Sequence, residues 1–163
     1  MEKTYFTFDK NNLGTPEYEK FILEGLRNER LENKGDINAM MDPEYVSIDW
    51  DNKKMIIKYV AKEWELNRVG VMHGGVISTI LDHTAGCTSC AFNGYWTPSI
   101  DVTVKYISQI NLDDKLICTG HIIHSGKRFI TCEATLFNET SGRVAAQLLG
   151  TYANGASNSS ANK

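Results

Sequence analysis

Two segments of the chain place apolar residues at the spacing of an amphipathic helix. In residues 16–31, apolar side chains recur every three or four positions ahead of a polar Asn-Lys-Gly-Asp break. In residues 76–92 the repeat is longer, and the opposite face carries small residues together with Asp82. The pattern predicts an N-terminal helix and a longer helix that other elements approach closely on all sides.

The other apolar residues lie in runs typical of β-strands. Residues 44–50 and 53–61 flank Asp51-Asn52, which predicts a hairpin although its turn lacks the usual glycine. Four longer runs follow the second helix, and polar turns separate them: residues 99–110, 115–126, 127–138 and 142–153. A long apolar helix followed by antiparallel strands predicts an α+β fold, in which a curved antiparallel sheet wraps around the central helix.

Length and composition indicate one globular domain. The 163 residues suffice for one core, and 42% apolar against 23% charged residues excludes a disordered or fibrous chain. We expect an N-terminal helical extension over residues 1–41 and the main domain over residues 42–153. The small polar residues 154–163 are expected to form a disordered tail.

Charge and hydropathy narrow the class of partner. A net charge of −3 with both signs interspersed offers no basic field for nucleic acid. The N-terminus lacks an apolar run as long as that of a signal peptide. No stretch of the sequence approaches the ~20 apolar residues needed to cross a bilayer. We therefore expect no nucleic-acid partner, no membrane partner and a cytoplasmic location.

The most informative stretch lies where the long helix begins. Gly74 and Gly75 leave the first amide groups of the helix open, and these groups carry the positive end of the helix dipole. Such an end can hold an anion or a developing oxyanion, although the glycines could also serve only a tight turn. Asp82 follows two turns later, with no lysine or arginine three or four residues away. An acid there is either functional or bonded to a hydroxyl or amide for structural reasons.

Together these motifs resemble the PaaI-type branch of hotdog-fold acyl-CoA thioesterases. The resemblance covers residues 44–152 and rests on Asn67, the triplet 73–75, Asp82 nine residues after the histidine, and the run 99–103. It implies the hotdog fold, in which the sheet encloses the central helix and two protomers join their sheets edge to edge.

The resemblance also implies a role for each site residue. The Gly74 amide and the Asn67 side chain would polarise the thioester carbonyl, and His73 would shape the loop. Asp82 would act as general base or as nucleophile, with Ser99 positioning the water or the acid. Some relatives carry a hydroxyl four residues after the acid, where this chain has Gly86.

Binding of acyl-CoA requires contacts to anionic phosphates from an acidic chain. The sequence Ser125-Gly126-Lys127-Arg128 resembles the turn that contacts the nucleotide in this family, and Gly75 is placed with these substrate-binding residues. The alternative for Lys127 and Arg128 is an ordinary solvated hairpin tip.

No cofactor and no metal are expected. Cys87 and Cys90 lie inside an apolar helix rather than at its N-terminus, and no second cysteine pair or spaced histidine pair completes a zinc site. These thiols, with Cys118 and Cys132, are expected to be reduced and buried. His83, His121 and His124 match no ligand spacing and are assigned to core or surface roles.

Helix geometry predicts that the active site is shared between protomers. Gly75 and Asp82 are separated by roughly 10 Å along the helix, so they do not easily meet at one carbonyl. In a two-fold homodimer, or a tetramer built from two such dimers, Asp82 and Ser99 of one protomer can face Asn67 and Gly74 of its partner.

Two other functions stay open from the sequence. A hotdog dehydratase or hydratase would act on the same thioesters, although its histidine base belongs to a different motif. A non-catalytic acyl-CoA sensor would need no acid beside the carbonyl site.

Overall fold

The computed structural model describes residues 12–154, and its elements follow the predicted order. The bounds are α1 (Pro16–Glu32), α2 (Ile37–Met40), β1 (Glu44–Asp49), β2 (Lys54–Val60), a 3-10 turn (Glu63–Glu65), α3 (Gly74–Asn93), β3 (Ser99–Tyr106), β4 (Lys115–Ser125), β5 (Phe129–Asn138) and β6 (Arg143–Ala153). The predicted tail lies outside the described residues, except for Asn154. No helix within residues 12–154 is long and apolar enough to span a bilayer.

The six strands form one antiparallel sheet in the order β1-β2-β4-β5-β6-β3. Side chains alternate between a buried and a more exposed face along β2, β4, β5 and much of β6, as expected for a sheet that covers a core on one side. The strand pairing shifts register at four places, and such bulges increase twist and bend a sheet. The predicted curved sheet is confirmed.

Helix α3 lies on the buried face of this sheet and contacts five of its six strands, from β2 to β3. At Gly120 of β4 the helix approaches the backbone so closely that an added Cβ would lie 2.1 Å from Oγ1 of Thr88. The helix ends at Asn93, where Gly94 adopts a left-handed conformation with φ 73°. The buried central helix and the hotdog architecture agree with the prediction.

Helix α1 covers β1 and its hairpin. Oγ1 of Thr15 accepts a hydrogen bond from the amide of Tyr18 at 3.2 Å, and Pro16 occupies the first turn, so the helix begins where the sequence predicted. The carboxylate of Glu19 accepts bonds from the Ile48 amide and the Trp50 indole, both at 3.3 Å. These bonds fix the helical extension to the sheet.

One detail differs from the prediction. Strand β3 ends at Tyr106 rather than at residue 110, because the chain then turns inward: Ile110 is fully buried, and its carbonyl accepts a bond from the Met72 amide at 2.8 Å.

The predicted β1–β2 hairpin is present. Its turn forms without glycine because Lys53 adopts φ 53° and Oδ1 of Asp49 accepts the Asn52 amide at 2.9 Å.

Candidate functional site

The loop before α3 is held by Asn67. Its backbone amide donates to the Val71 carbonyl at 2.8 Å, and its side-chain oxygen accepts from the Val69 amide at 2.9 Å. Gly70 closes the loop with φ 81°. Among the described residues nothing accepts from the NH₂ group of Asn67, so this group remains available as a donor.

His73 caps the start of α3. Nδ1 of its ring accepts the Gly75 amide at 3.0 Å, which requires an unprotonated Nδ1 and leaves any ring proton on Nε2. The Gly75 amide is therefore engaged. The Gly74 amide pairs with no acceptor within residues 12–154, so it is the open donor at the positive end of the helix.

Tyr106, at the end of β3, packs against this helix start. Its hydroxyl donates to the Gly74 carbonyl at 3.2 Å and shares a 2.7 Å hydrogen bond with Oγ of Ser78. A Cβ added at Gly74 would lie 3.3 Å from the Tyr106 ring. Any side chain at position 74 would therefore press against the tyrosine.

Asp82 is partly exposed on α3, and a tyrosine from β6 binds it. The hydroxyl of Tyr152 donates to Oδ1 of Asp82 at 2.9 Å. Burial, and then the nearby charge of Asp82, raise the pKa of Tyr152 far above its usual value, so the phenol stays protonated. The acid thus has the hydroxyl partner that the structural interpretation required.

Sequence reasoning missed Tyr152. The alternation of buried residues along β6 could have placed it on the inner face, because Leu148 and Tyr152 share that parity. Nothing in the sequence aligned it with a helix residue seventy positions away.

Ser99 begins β3, where its Cα is paired in register with that of Tyr152. Its side chain is exposed, and none of the hydrogen bonds of the described chain joins it to Asp82. Within one protomer, then, His73 and Gly74 lie at the N-terminus of α3, and Asn67 lies in the loop that leads into it. Asp82 lies two turns further along, on the side of Tyr152 and of the β3 start.

The basic turn, residues 125–128, connects β4 to β5. Its Gly126 amide donates to the Phe129 carbonyl at 2.9 Å, and Asn154 donates through its side chain to the Gly126 carbonyl and through its backbone to Arg128 at 2.8 Å. The Arg128 guanidinium lies 5.7 Å from the centre of the Phe129 ring. Lys127 and Arg128 are both exposed, so the turn is ordered while its charges face solvent.

A second polar cluster surrounds His83, the residue that follows Asp82 on α3. The hydroxyls of Tyr45 and Tyr59 lie 3.3 and 2.9 Å from its ring nitrogens, and Sγ of Cys87 lies 3.5 Å away. Burial lowers the pKa of His83 to about 4 and raises that of the Cys87 thiol, so both groups are neutral at pH 7. The part of the chain that the structure describes contains no cluster of three or more metal-ligating groups.

Part of the chain is similar to known thioesterases. The family model described as Thioesterase superfamily matches residues 69–145, which include the helix start, Asp82 and the basic turn. Acyl-coenzyme A thioesterase 13 of Mus musculus is 28% identical over 96 residues, which are 58% of this chain and 69% of that protein.

Two solved structures show the same fold. Thioesterase superfamily member 2 from Mus musculus has a TM-score of 0.71 and 24% identity, covering 82% of this chain and 98% of that chain. A hypothetical thioesterase protein from Streptococcus pneumoniae, solved with coenzyme A, has a TM-score of 0.64 and 20% identity, covering 69% and 87%. Fold and family model agree: the chain has the hotdog fold of these thioesterases, and its residues 69–145 match the thioesterase superfamily.

Proposed function

We propose that the chain hydrolyses an acyl-CoA thioester to the free acid and CoA. The observation that carries this proposal is α3 itself, which has an open Gly74 amide at its positive end and a hydrogen-bonded carboxylate, Asp82, two turns later. Relatives support the substrate class, since one is named an acyl-coenzyme A thioesterase and another was solved with coenzyme A.

The chemistry assigns a task to each group. The Gly74 amide and the NH₂ group of Asn67 donate to the thioester carbonyl and stabilise the oxyanion as negative charge develops. Asp82 takes the proton of an attacking water, or attacks the carbonyl carbon itself to give an anhydride that water then hydrolyses. In either case the C–S bond breaks, and the CoA thiolate leaves and is protonated. Ser99 positions the water or the acid.

Strand β3 supports a site shared between two protomers. It is one of the two edge strands of the sheet, nearly all of it is exposed, and it carries the apolar side chains of Ile100, Val102 and Tyr106. An uncovered apolar edge favours pairing with a second copy, and a two-fold axis makes that pairing antiparallel.

Antiparallel pairing of β3 with its copy sets the end of one strand beside the start of the other. The β3 end holds Tyr106, which contacts Gly74, while the β3 start holds Ser99, the neighbour of Tyr152 and hence of Asp82. Gly74 of one protomer and Asp82 of its partner therefore come to the same end of the joined strands. Each active site then contains parts of both chains.

The basic turn supports recognition of the CoA nucleotide. Lys127 and Arg128 project from an ordered hairpin, where their charges can meet phosphate oxygens without prior rearrangement.

A thiol-release screen of the purified chain over a panel of acyl-CoAs tests this function. We expect steady release of CoA thiol from at least one acyl class, and loss of that release in Asp82→Asn. Enoyl-CoA hydration without thiol release would indicate a hydratase instead. Saturable acyl-CoA binding without turnover would indicate a sensor.

A further inference from the structure

Asp82 is held by one side chain from outside its own helix, and that side chain is Tyr152. The phenol hydroxyl donates to Oδ1 at 2.9 Å, and the tyrosine is 1% exposed. Within residues 12–154 no donor pairs with the second carboxylate oxygen, Oδ2. One oxygen is thus fixed while the other is left for chemistry.

Gly150 makes room for the tyrosine ring, and Gly86 lies beside it. At Gly150, two residues earlier on the same face of β6, an added Cβ would lie 2.9 Å from Cε2 of Tyr152 and 3.2 Å from its hydroxyl oxygen. At Gly86, on α3, an added Cβ would lie 3.9 Å from Cε1 of the ring. The ring therefore lies across the strand beneath it and against the helix, and a side chain at position 150 would displace it.

In this hydrogen bond the Tyr152 hydroxyl is the donor and the Asp82 carboxylate is the acceptor. An ionised carboxylate accepts hydrogen bonds and cannot donate, and a neutral phenol supplies one proton. The raised pKa of Tyr152 keeps that proton on the phenol. A hydrogen bond to a charged group in a buried setting is stronger than one between neutral groups, so it restricts how the carboxylate turns.

Resting on the function proposed above, we propose that Tyr152 is a positioning residue that orients Asp82 so that Oδ2 faces the scissile thioester. It acts through Asp82 and does not touch the substrate. Its Cα is also paired in register with that of Ser99, so one strand pair sets both the acid and the hydroxyl of the site.

Tyr152→Phe removes the donor and keeps the ring. We expect kcat to fall about tenfold with KM within twofold, because orientation of the acid matters in the transition state rather than in substrate binding. Tyr59→Phe is the matched control, since it also deletes a buried tyrosine hydroxyl, one bonded to His83 and Thr84. Its kcat should stay within twofold of wild type.

A double-mutant cycle separates positioning from a general loosening of the core. In an Asp82→Asn background, Tyr152→Phe should change residual kcat by less than twofold, because the group that it orients is gone. An equal tenfold loss in both backgrounds, or a Tyr152→Phe enzyme with wild-type kcat, overturns the inference. If Asp82→Asn itself keeps wild-type turnover, the proposed mechanism fails first. The two failures are therefore distinguishable.

Discussion

A carboxylate two turns inside an apolar helix needs a donor, and no lysine or arginine lies three or four residues from Asp82. Burying an ionised acid without a partner costs several kcal/mol. Tyr152 supplies the donor from β6 without neutralising the charge. Asp82 thus has a hydrogen-bond donor that its own helix does not provide.

Asp82→Asn should keep the fold and lower turnover at least ~100-fold, as for loss of a general base or nucleophile. The amide oxygen of asparagine can still accept from Tyr152, so the local packing survives. Circular dichroism checks the fold, and thiol-release kinetics check the rate. Near wild-type turnover in a folded variant would make Asp82 a structural residue.

His83 predicts a pH dependence of stability. Burial lowers its pKa from 6.5 to about 4 in the folded chain, so between these values the unfolded chain binds more protons. The free energy of unfolding should therefore fall as pH drops through that window, by roughly 3 kcal/mol at its lower end. Urea unfolding from pH 7 to pH 4 measures this.

His83→Gln isolates the effect, because glutamine keeps a polar side chain among the tyrosines and does not titrate. The slope of unfolding free energy against pH should become shallower than in wild type. His124→Gln replaces an exposed imidazole instead and serves as the comparison variant. Equal slopes in wild type and His83→Gln would mean that the imidazole is already solvated in the folded state.

The positions of some site residues could be predicted from the sequence, whereas the position of Tyr152 could not. His73 and Gly74 lie at the start of α3, where the sequence pattern predicted a helix start, and Asn67 lies in the loop before it. Tyr152 reaches Asp82 only because β6 takes one register against its neighbours. A register is decided by long-range pairing, which a single sequence does not display.

At the scale of elements, the basic turn predicts a test of nucleotide recognition. Replacing Lys127 and Arg128 by alanine should raise KM for CoA thioesters more than for short thioesters without the nucleotide. Phosphate contacts stabilise ground and transition states alike, so kcat should change less. Steady-state kinetics on both substrate types measure the difference.

The control removes the same charge elsewhere. Lys58→Ala with Lys115→Ala also deletes two positive charges, but Lys115 begins β4 whereas the basic turn follows its end. This variant should leave the KM for CoA thioesters near wild type. An equal loss on both substrate types in the Lys127 and Arg128 variant would refute a nucleotide role.

Element types were predictable because the helices and strands have distinct hydrophobic periods. The end of β3 was not, since residues 107–110 continue the strand-like pattern while the chain turns toward the loop before α3. There the burial of Ile110 prevails over local β propensity.

At the scale of the whole molecule, a shared site predicts complementation between inactive variants. Co-refolding Asp82→Ala with Asn67→Ala gives about half mixed dimers, and each mixed dimer holds one intact site. Roughly a quarter of wild-type activity should return. Thiol release from the mixture, compared with each homodimer, measures it.

The control mixes Asp82→Ala with Asp82→Asn, which leaves a lesion at the same position in every site. That mixture should recover nothing. If the first mixture also recovers nothing although subunit exchange is verified, the residues act within one chain and the shared site is excluded.

The exposed edge strand β3 has a consequence for how activity depends on protein concentration. Where a site needs two chains, the active fraction follows the monomer–dimer equilibrium rather than the amount of chain. Specific activity would then decline as the protein is diluted. A substitution in β3 that weakens dimerisation would lower activity without touching the substrate, and a higher protein concentration would restore that activity. Expression level would thereby set not only how many enzyme molecules exist but what share of them can work.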